Sequence, residues 1–225
     1  MAHLVIAGAG GVLGRALAGE FAGAGYAVSA LGRRPAAEPD GPGHAVPCDL
    51  RARASAHAAL ARAVDERGPV DVLVYNAAHL SMAPIAEVGF EEFEETWRVC
   101  VAGAFACVQA VLPAMRARGA GTLLFSGATA SLRGSARFAS LTAAKFALRG
   151  LAQSLARELQ PQGIHVAHVV LDGLLRGSHS VERFGGDDKR SIDPAEAARV
   201  YRSLAEQPPS AWTHELDLRP PGEKF

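Results

Sequence analysis

The stretch Leu4-Val5-Ile6-Ala7-Gly8-Ala9-Gly10-Gly11-Val12-Leu13-Gly14-Arg15-Ala16-Leu17 constrains the fold more than any other part of the chain. It opens as an apolar run, breaks into glycines and resumes with apolar residues at helical spacing, which predicts a strand, a tight turn and a helix. Glycines at such a turn tolerate positive φ and lack Cβ atoms. A phosphate can therefore reach the backbone and sit on the free N–H groups of the helix N-terminus. A glycine-rich turn can also be a plain strand-to-helix connection. Its position after a strand and at the opening of a helix is the context that dinucleotide binding requires.

The rest of the chain repeats the alternation. The first helix runs from about Leu13 to Ala24, Gly25 stops it, and Tyr26 to Leu31 reads as a second strand ending in Gly32-Arg33-Arg34. Pro35 to Gly43 is a loop, and His44 to Leu50 is a short third strand with its exit. After a further helix, Asp71-Val72-Leu73-Val74-Tyr75 is a nearly all-apolar strand of the kind buried on both faces in a parallel sheet, ending at Asn76-Ala77-Ala78. Glu91 to Met115 is long and helical, Thr122 to Ser126 is the fifth strand, and Leu141 to Leu159 is another long helix ended by Pro161. Ile164 to Leu171 is the sixth strand. From Leu174 to Ile192 the chain turns polar and glycine-rich, which suggests a mobile loop over a substrate. Pro194 starts a last helix, and Glu215 to Arg219 offers an edge strand.

Strands alternating with helices at roughly 30-residue intervals predict a single α/β domain over residues 1–225, a doubly wound parallel sheet flanked by helices. Ligands in such sheets sit at the strand C-terminal ends, where Gly8 to Gly14, Arg33, Asp49, Asn76, Ser126 and Leu171 to Gly173 fall. A length of 225 residues with 49% hydrophobic content supports one sizeable core. Lys plus Arg equals Asp plus Glu at 23 each, so no electrostatic footprint points to nucleic acid or to an anionic membrane surface. Three cysteines, Cys48, Cys100 and Cys107, argue against a disulfide framework and for a reducing, cytoplasmic setting. No metal-ligand spacing is present. No window reaches about 18 uninterrupted apolar residues, so no membrane span is expected. Small-molecule chemistry is the default.

The order and spacing of Gly8-Ala9-Gly10-Gly11-Val12-Leu13-Gly14, Cys48-Asp49-Leu50, Asn76-Ala77-Ala78, Gly103-Ala104-Phe105, Ala143-Ala144-Lys145-Phe146-Ala147-Leu148 and Gly163-Ile164-His165-Val166 resemble the short-chain dehydrogenase/reductase family. The resemblance extends to about Ala205. It implies a Rossmann-like domain, a nicotinamide cofactor, a small-molecule substrate, and a homodimer or homotetramer built through the two long helices. By the same resemblance Gly8, Gly10, Gly11, Leu13, Gly14, Asp49, Leu50, Asn76, Ala77 and Lys145 border the cofactor. An acid after the second strand would accept from the adenosine ribose and repel a 2′-phosphate, but here Arg33 and Arg34 stand in that turn. Arginine pairs phosphate bidentately, so NADP(H) is favoured over NAD(H).

The catalytic positions depart from the family. Its Tyr-x-x-x-Lys has a leucine, Leu141, before the retained Lys145, and leucine has no ionisable proton. The serine position holds Ala128, the assisting asparagine is Cys100, and the Pro-Gly after the sixth strand reads Leu171-Asp172 or Asp172-Gly173. Lys145 lies one helical turn beyond Leu141 on the same face. Ser126 and Asp172 are the catalytic candidates beside it, with Thr129, Ser140, Thr142, His79 or a lysine-ordered water as other stand-ins. Cys100, inside Val99-Cys100-Val101-Ala102, reads as a small buried hydrophobe. His165 and His168 lie three apart on a strand and so point to opposite faces. The tail from Trp212 to Pro220 fits either a subunit contact or a buried edge strand.

Three functions remain open. The first is an NADP(H)-dependent oxidoreductase acting on a carbonyl or alcohol with a non-standard proton donor. The second is a redox-silent nucleotide-binding protein with a regulatory or scaffolding role. The third is a non-redox isomerase or dehydratase reusing the pocket.

Overall fold

The structure is a computed structural model that describes residues 1–33, 43–187 and 190–222. Arg34, most of the Pro35 to Gly43 loop, and Asp188 and Lys189 of the 174–192 segment lie outside the described residues.

The chain builds one seven-stranded sheet in the order β3-β2-β1-β4-β5-β6-β7, with every pairing parallel. The strands are β1 His3–Ala7, β2 Ala27–Gly32, β3 His44–Pro47, β4 Val72–Tyr75, β5 Gly121–Ser126, β6 Ile164–Leu171 and β7 Glu215–Leu218. Crossover helices cover both faces, and this is why β1, β4 and β6 are buried along their whole length and largely apolar. Successive side chains then go to different cores. Leu4, Ile6, Val72 and Val74 face α1 (Val12–Gly23) and α7 (Pro194–Ala205). Val5, Ala7, Leu73 and Tyr75 face α2 (Arg53–Arg67), α4 (Gly103–Arg118) and α5 (Ala139–Leu159). Strand order reverses between β1 and β4, so a crevice opens at their C-terminal ends.

The expected long helix from Glu91 to Met115 is α3 (Phe90–Trp97), a π-helical turn over Arg98–Ala102, and α4. The Tyr75 hydroxyl donates to the Val99 carbonyl inside that wide turn. By length and composition Phe90–Arg118 could cross a membrane, a property that counting uninterrupted apolar residues overlooked. In the fold half of its apolar window is buried. Gly103 is glycine for a local reason, because a Cβ there would lie 2.6 Å from the Leu50 carbonyl oxygen.

The segment read as a loop over 174–192 contains helix α6 (His179–Phe184). Its base is pinned where the Ile192 N–H donates to Leu174 O at 2.7 Å and the Arg176 N–H donates to Ile192 O at 2.9 Å. The tail resolves to an edge strand, β7, paired with β6, and Trp212 stacks on His165 at 5.0 Å between ring centroids. His165 and His168 do face opposite sides. His165 meets Thr213 O at 2.8 Å, and His168 meets Glu215 Oε2 at 2.9 Å beneath α5.

Candidate active site

The turn after β1 holds its shape by close packing. Gly8 has φ 95°, and a Cβ on it would lie 2.5 Å from the Ala77 nitrogen. A Cβ on Gly14 would lie 2.5 Å from Ala9 O, so helix and turn touch backbone to backbone. Leu31 O accepts from both Gly8 and Ala9 N–H, and Asn76 Nδ2 donates to Gly8 O at 3.0 Å. Gly11 caps α1 with no side-chain bond, a Cβ there would meet nothing within 4 Å, and no acid occupies the first turn. The helix therefore presents its unsatisfied N–H groups and positive dipole end without a competing carboxylate.

That turn opens onto a cleft of about 700 Å³. Gly8, Gly10, Gly11, Arg33, Asp49, Leu50, Asn76 and Ala77 all line it. Leu13 and Lys145 line the adjoining cavity, and Gly14 lies under the turn. Glycines lining a space that side chains would fill, an open helix N-terminus and a basic far end fit a dinucleotide. Arg51, which the sequence reading passed over, also lines this cleft. Its guanidinium holds Asp49 bidentately, Nε to Oδ1 at 2.9 Å and Nη2 to Oδ2 at 2.7 Å, and reaches Glu95 at 3.2 Å. The Arg51 contact draws the Asp49 carboxyl below its ordinary pKa. The available signal was a cation two residues beyond an aspartate at a strand exit. His79 lines the same cleft and pairs with Glu92 at 2.8 Å.

Two further cavities, of about 290 and 340 Å³, share Leu80, Ala128, Leu141, Leu171, Gly173 and Leu174 as walls. Among the described residues lining them, Lys145 carries the one ionisable side chain. Lys145 is 4% exposed, and Nζ donates to the Ser126 carbonyl at 2.7 Å. Burial pulls its pKa below the ordinary lysine value, against a smaller upward pull from Cys100. Cys100 is fully buried in the π-helical turn.

The other two catalytic candidates are engaged elsewhere. The Ser126 hydroxyl is buried against the Tyr201 hydroxyl of α7 at 2.8 Å, leaving only its carbonyl toward Lys145. Asp172 is fully buried and lines neither cavity. It accepts from Thr129 Oγ1 at 2.5 Å and pairs with Arg219 at 2.7 Å and Arg133 at 3.4 Å. Two guanidiniums thus compensate one buried carboxylate. Tyr201 and Arg219 lie far along the chain, and no local pattern marks them as partners of these residues. Thr142 Oγ1 and Ser178 Oγ are buried without a hydrogen-bond partner, each in a residue lining one of the cavities.

A doubly wound sheet with an open glycine turn at its reversal point defines a dinucleotide-binding α/β protein. The family model described as short chain dehydrogenase matches residues 2–176, and the chain belongs to that family. It is 37% identical over 126 residues to 17-beta-hydroxysteroid dehydrogenase type 1 of Homo sapiens, covering 56% of this chain and 38% of that protein. The chain thus spans well under half the length of that curated relative. A short-chain dehydrogenase from Rhodopseudomonas palustris superposes with a TM-score of 0.83 at 34% identity, covering 97% of this chain and 98% of the other. The closed form of a serine dehydrogenase complexed with NADP+ superposes with a TM-score of 0.87 at 25% identity, covering 100% of this chain and 97% of the other.

Proposed function

We propose that this protein is an NADP(H)-dependent oxidoreductase that interconverts a carbonyl and an alcohol, with Lys145 as proton donor where the family uses tyrosine. The observation that carries this reading is the buried Lys145 side chain, which lines the 290 Å³ cavity and is the one ionisable group among the described residues lining either cavity. The bound nicotinamide supplies the hydride. The glycine turn and the α1 N-terminus hold the pyrophosphate, and Arg33 holds a 2′-phosphate, with Arg51 and Asp49 beside it in the cleft. Neutral charge at Arg33 would remove the preference for the phosphorylated cofactor, and the NADP+ complex of the structural neighbour agrees with it.

In reduction, Nζ gives one proton to the developing alkoxide oxygen and is left as a neutral amine that solvent recharges. Desolvation makes that transfer easier, because it penalises the charged form of Lys145. The Ser126 carbonyl orients Nζ from behind. In this reading Ser126 and Asp172 serve the site through its frame: Ser126 anchors Lys145, and Asp172 with Thr129 and Arg219 fixes the β6 exit.

Leu141 and Ala128, which put hydrocarbon where hydroxyls would stand, favour a second reading, a redox-silent nucleotide-binding protein. One experiment separates the two. NADPH and NADH are titrated by calorimetry, and NADPH oxidation is then followed over a carbonyl panel as a function of pH. Reduction that falls as pH rises through a pKa below the ordinary lysine value, with the limb lost in Lys145→Met, supports the oxidoreductase. Tight NADPH binding with no turnover on any carbonyl supports the silent reading. We also place the protein in the cytoplasm, consistent with three free buried cysteines, and as a homo-oligomer. Phe90, Trp97, Phe105 and Phe146 stand exposed on α3, α4 and α5, an apolar face suited to a second copy.

A further inference from the structure

We propose that the substrate of this site is an uncharged and mainly hydrocarbon ketone or aldehyde. The inference rests on the oxidoreductase reading above, and it concerns the 340 Å³ cavity between α5 and α6.

Its walls are hydrocarbon. Leu80, Leu141, Leu171 and Leu174 line it together with Phe138 and Phe184, whose ring centroids are 5.9 Å apart. No Asp, Glu, Lys, Arg or His is among the described residues that line it. Asp172, which accepts from the lining residue Thr129, is compensated by Arg219 and Arg133 and does not line this cavity. A carboxylate or phosphate on the substrate would therefore lose its hydration and gain no counter-ion here.

Polyols fit no better. Thr129 already gives its hydroxyl to Asp172, so Ser135, Thr142 and Ser180 remain as the hydroxyl groups of the lining. Each additional substrate hydroxyl buried without a partner would cost about 1–3 kcal/mol.

At about 30 Å³ per heavy atom, the share that water takes in the liquid, the 340 Å³ cavity has room for roughly eleven non-hydrogen atoms. An aryl or cyclic ketone is of that size. The reaction balances as ketone plus NADPH plus one proton giving secondary alcohol plus NADP+, with the carbonyl at the walls shared with the 290 Å³ cavity, Leu141, Leu171 and Leu174, and the proton from Lys145, which lines that second cavity.

The test is calorimetric binding of three ketones, acetophenone, pyruvate and dihydroxyacetone, to the protein with and without NADPH, repeated with Phe184→Asp. Acetophenone is expected to bind at least about tenfold more tightly than either polar ketone. Phe184→Asp should weaken it by about tenfold or more while NADPH affinity holds. Pyruvate or dihydroxyacetone binding as tightly as acetophenone, or acetophenone affinity unmoved by Phe184→Asp, would overturn the proposal. A protein that binds acetophenone in this pattern but no NADPH would retain the cavity assignment and lose the oxidoreductase reading, so the two failures are distinguishable.

Discussion

The two ends of the crevice contrast sharply. At the β1 end the turn is built from backbone: Gly8 against Ala77, Gly14 against Ala9, and an α1 N-terminus with neither side-chain cap nor acid. At the β5–α5 end the cavity is walled by hydrocarbon from Leu141 and Ala128, and the buried Lys145 brings the charge. The shape of the first end depends on close packing that leaves no room for a Cβ at Gly8 or Gly14, whereas the chemistry of the second depends on a few side-chain atoms.

Breaking the first end should have the largest effect. Gly8→Ala puts a Cβ 2.5 Å from the Ala77 nitrogen at φ 95°, and is expected to cost about 3 kcal/mol or more in urea unfolding and to abolish NADPH binding. At the second end, Lys145→Met should lower NADPH-dependent reduction by about 100-fold or more, read as kcat. The same variant should gain stability at neutral pH, by about 1 kcal/mol or more, since a nearly fully buried ammonium is removed. In the wild type, the unfolded chain keeps its lysine proton at pH values where the folded chain has released it, because the folded pKa is the lower. Stability should therefore rise with pH between the folded Lys145 pKa and the ordinary lysine value, and Lys145→Met should flatten that rise.

Restoring the family groups sharpens the contrast from the other side. Leu141→Tyr with Ala128→Ser should raise turnover by about tenfold or more if proton transfer limits the rate. A wild type that already equals the double variant would show that Lys145 suffices. Arg33→Ala is expected to weaken NADPH by about tenfold in calorimetry and to leave NADH unchanged.

The smallest effect lies beneath α5. Arg149 pairs with Glu215 at 2.6 Å, and with His168 it holds that carboxyl below its ordinary pKa. This stabilisation is present above the unfolded carboxyl pKa and fades as pH falls through the folded one. Arg149→Met should remove roughly 0.5 kcal/mol of it after solvent screening, seen as a shallower loss of stability on acidification.

The periodicities of the chain determined the α/β alternation, most strand positions and the glycine turn, because each is encoded within a few consecutive residues. Local pattern also located Arg33, Asp49 and Asn76 at strand exits. It overlooked the six-residue helix α6, whose short polar sequence carries little apolar periodicity, and the π-helical turn around Cys100, whose wide hydrogen bonding leaves no residue signature. Where the side chains of Ser126 and Asp172 point was decided by tertiary structure alone. Tyr201 lies 75 residues from Ser126, and Arg219 closes on Asp172 from the edge strand. A residue's type and strand position show that a hydroxyl or carboxylate is near the crevice. Which neighbour it bonds to depends on partners that only packing brings within reach. For Lys145 the sequence supplied the group, and burial among α5, β5 and the π-helical turn supplied the desolvation that changes what an ammonium can do.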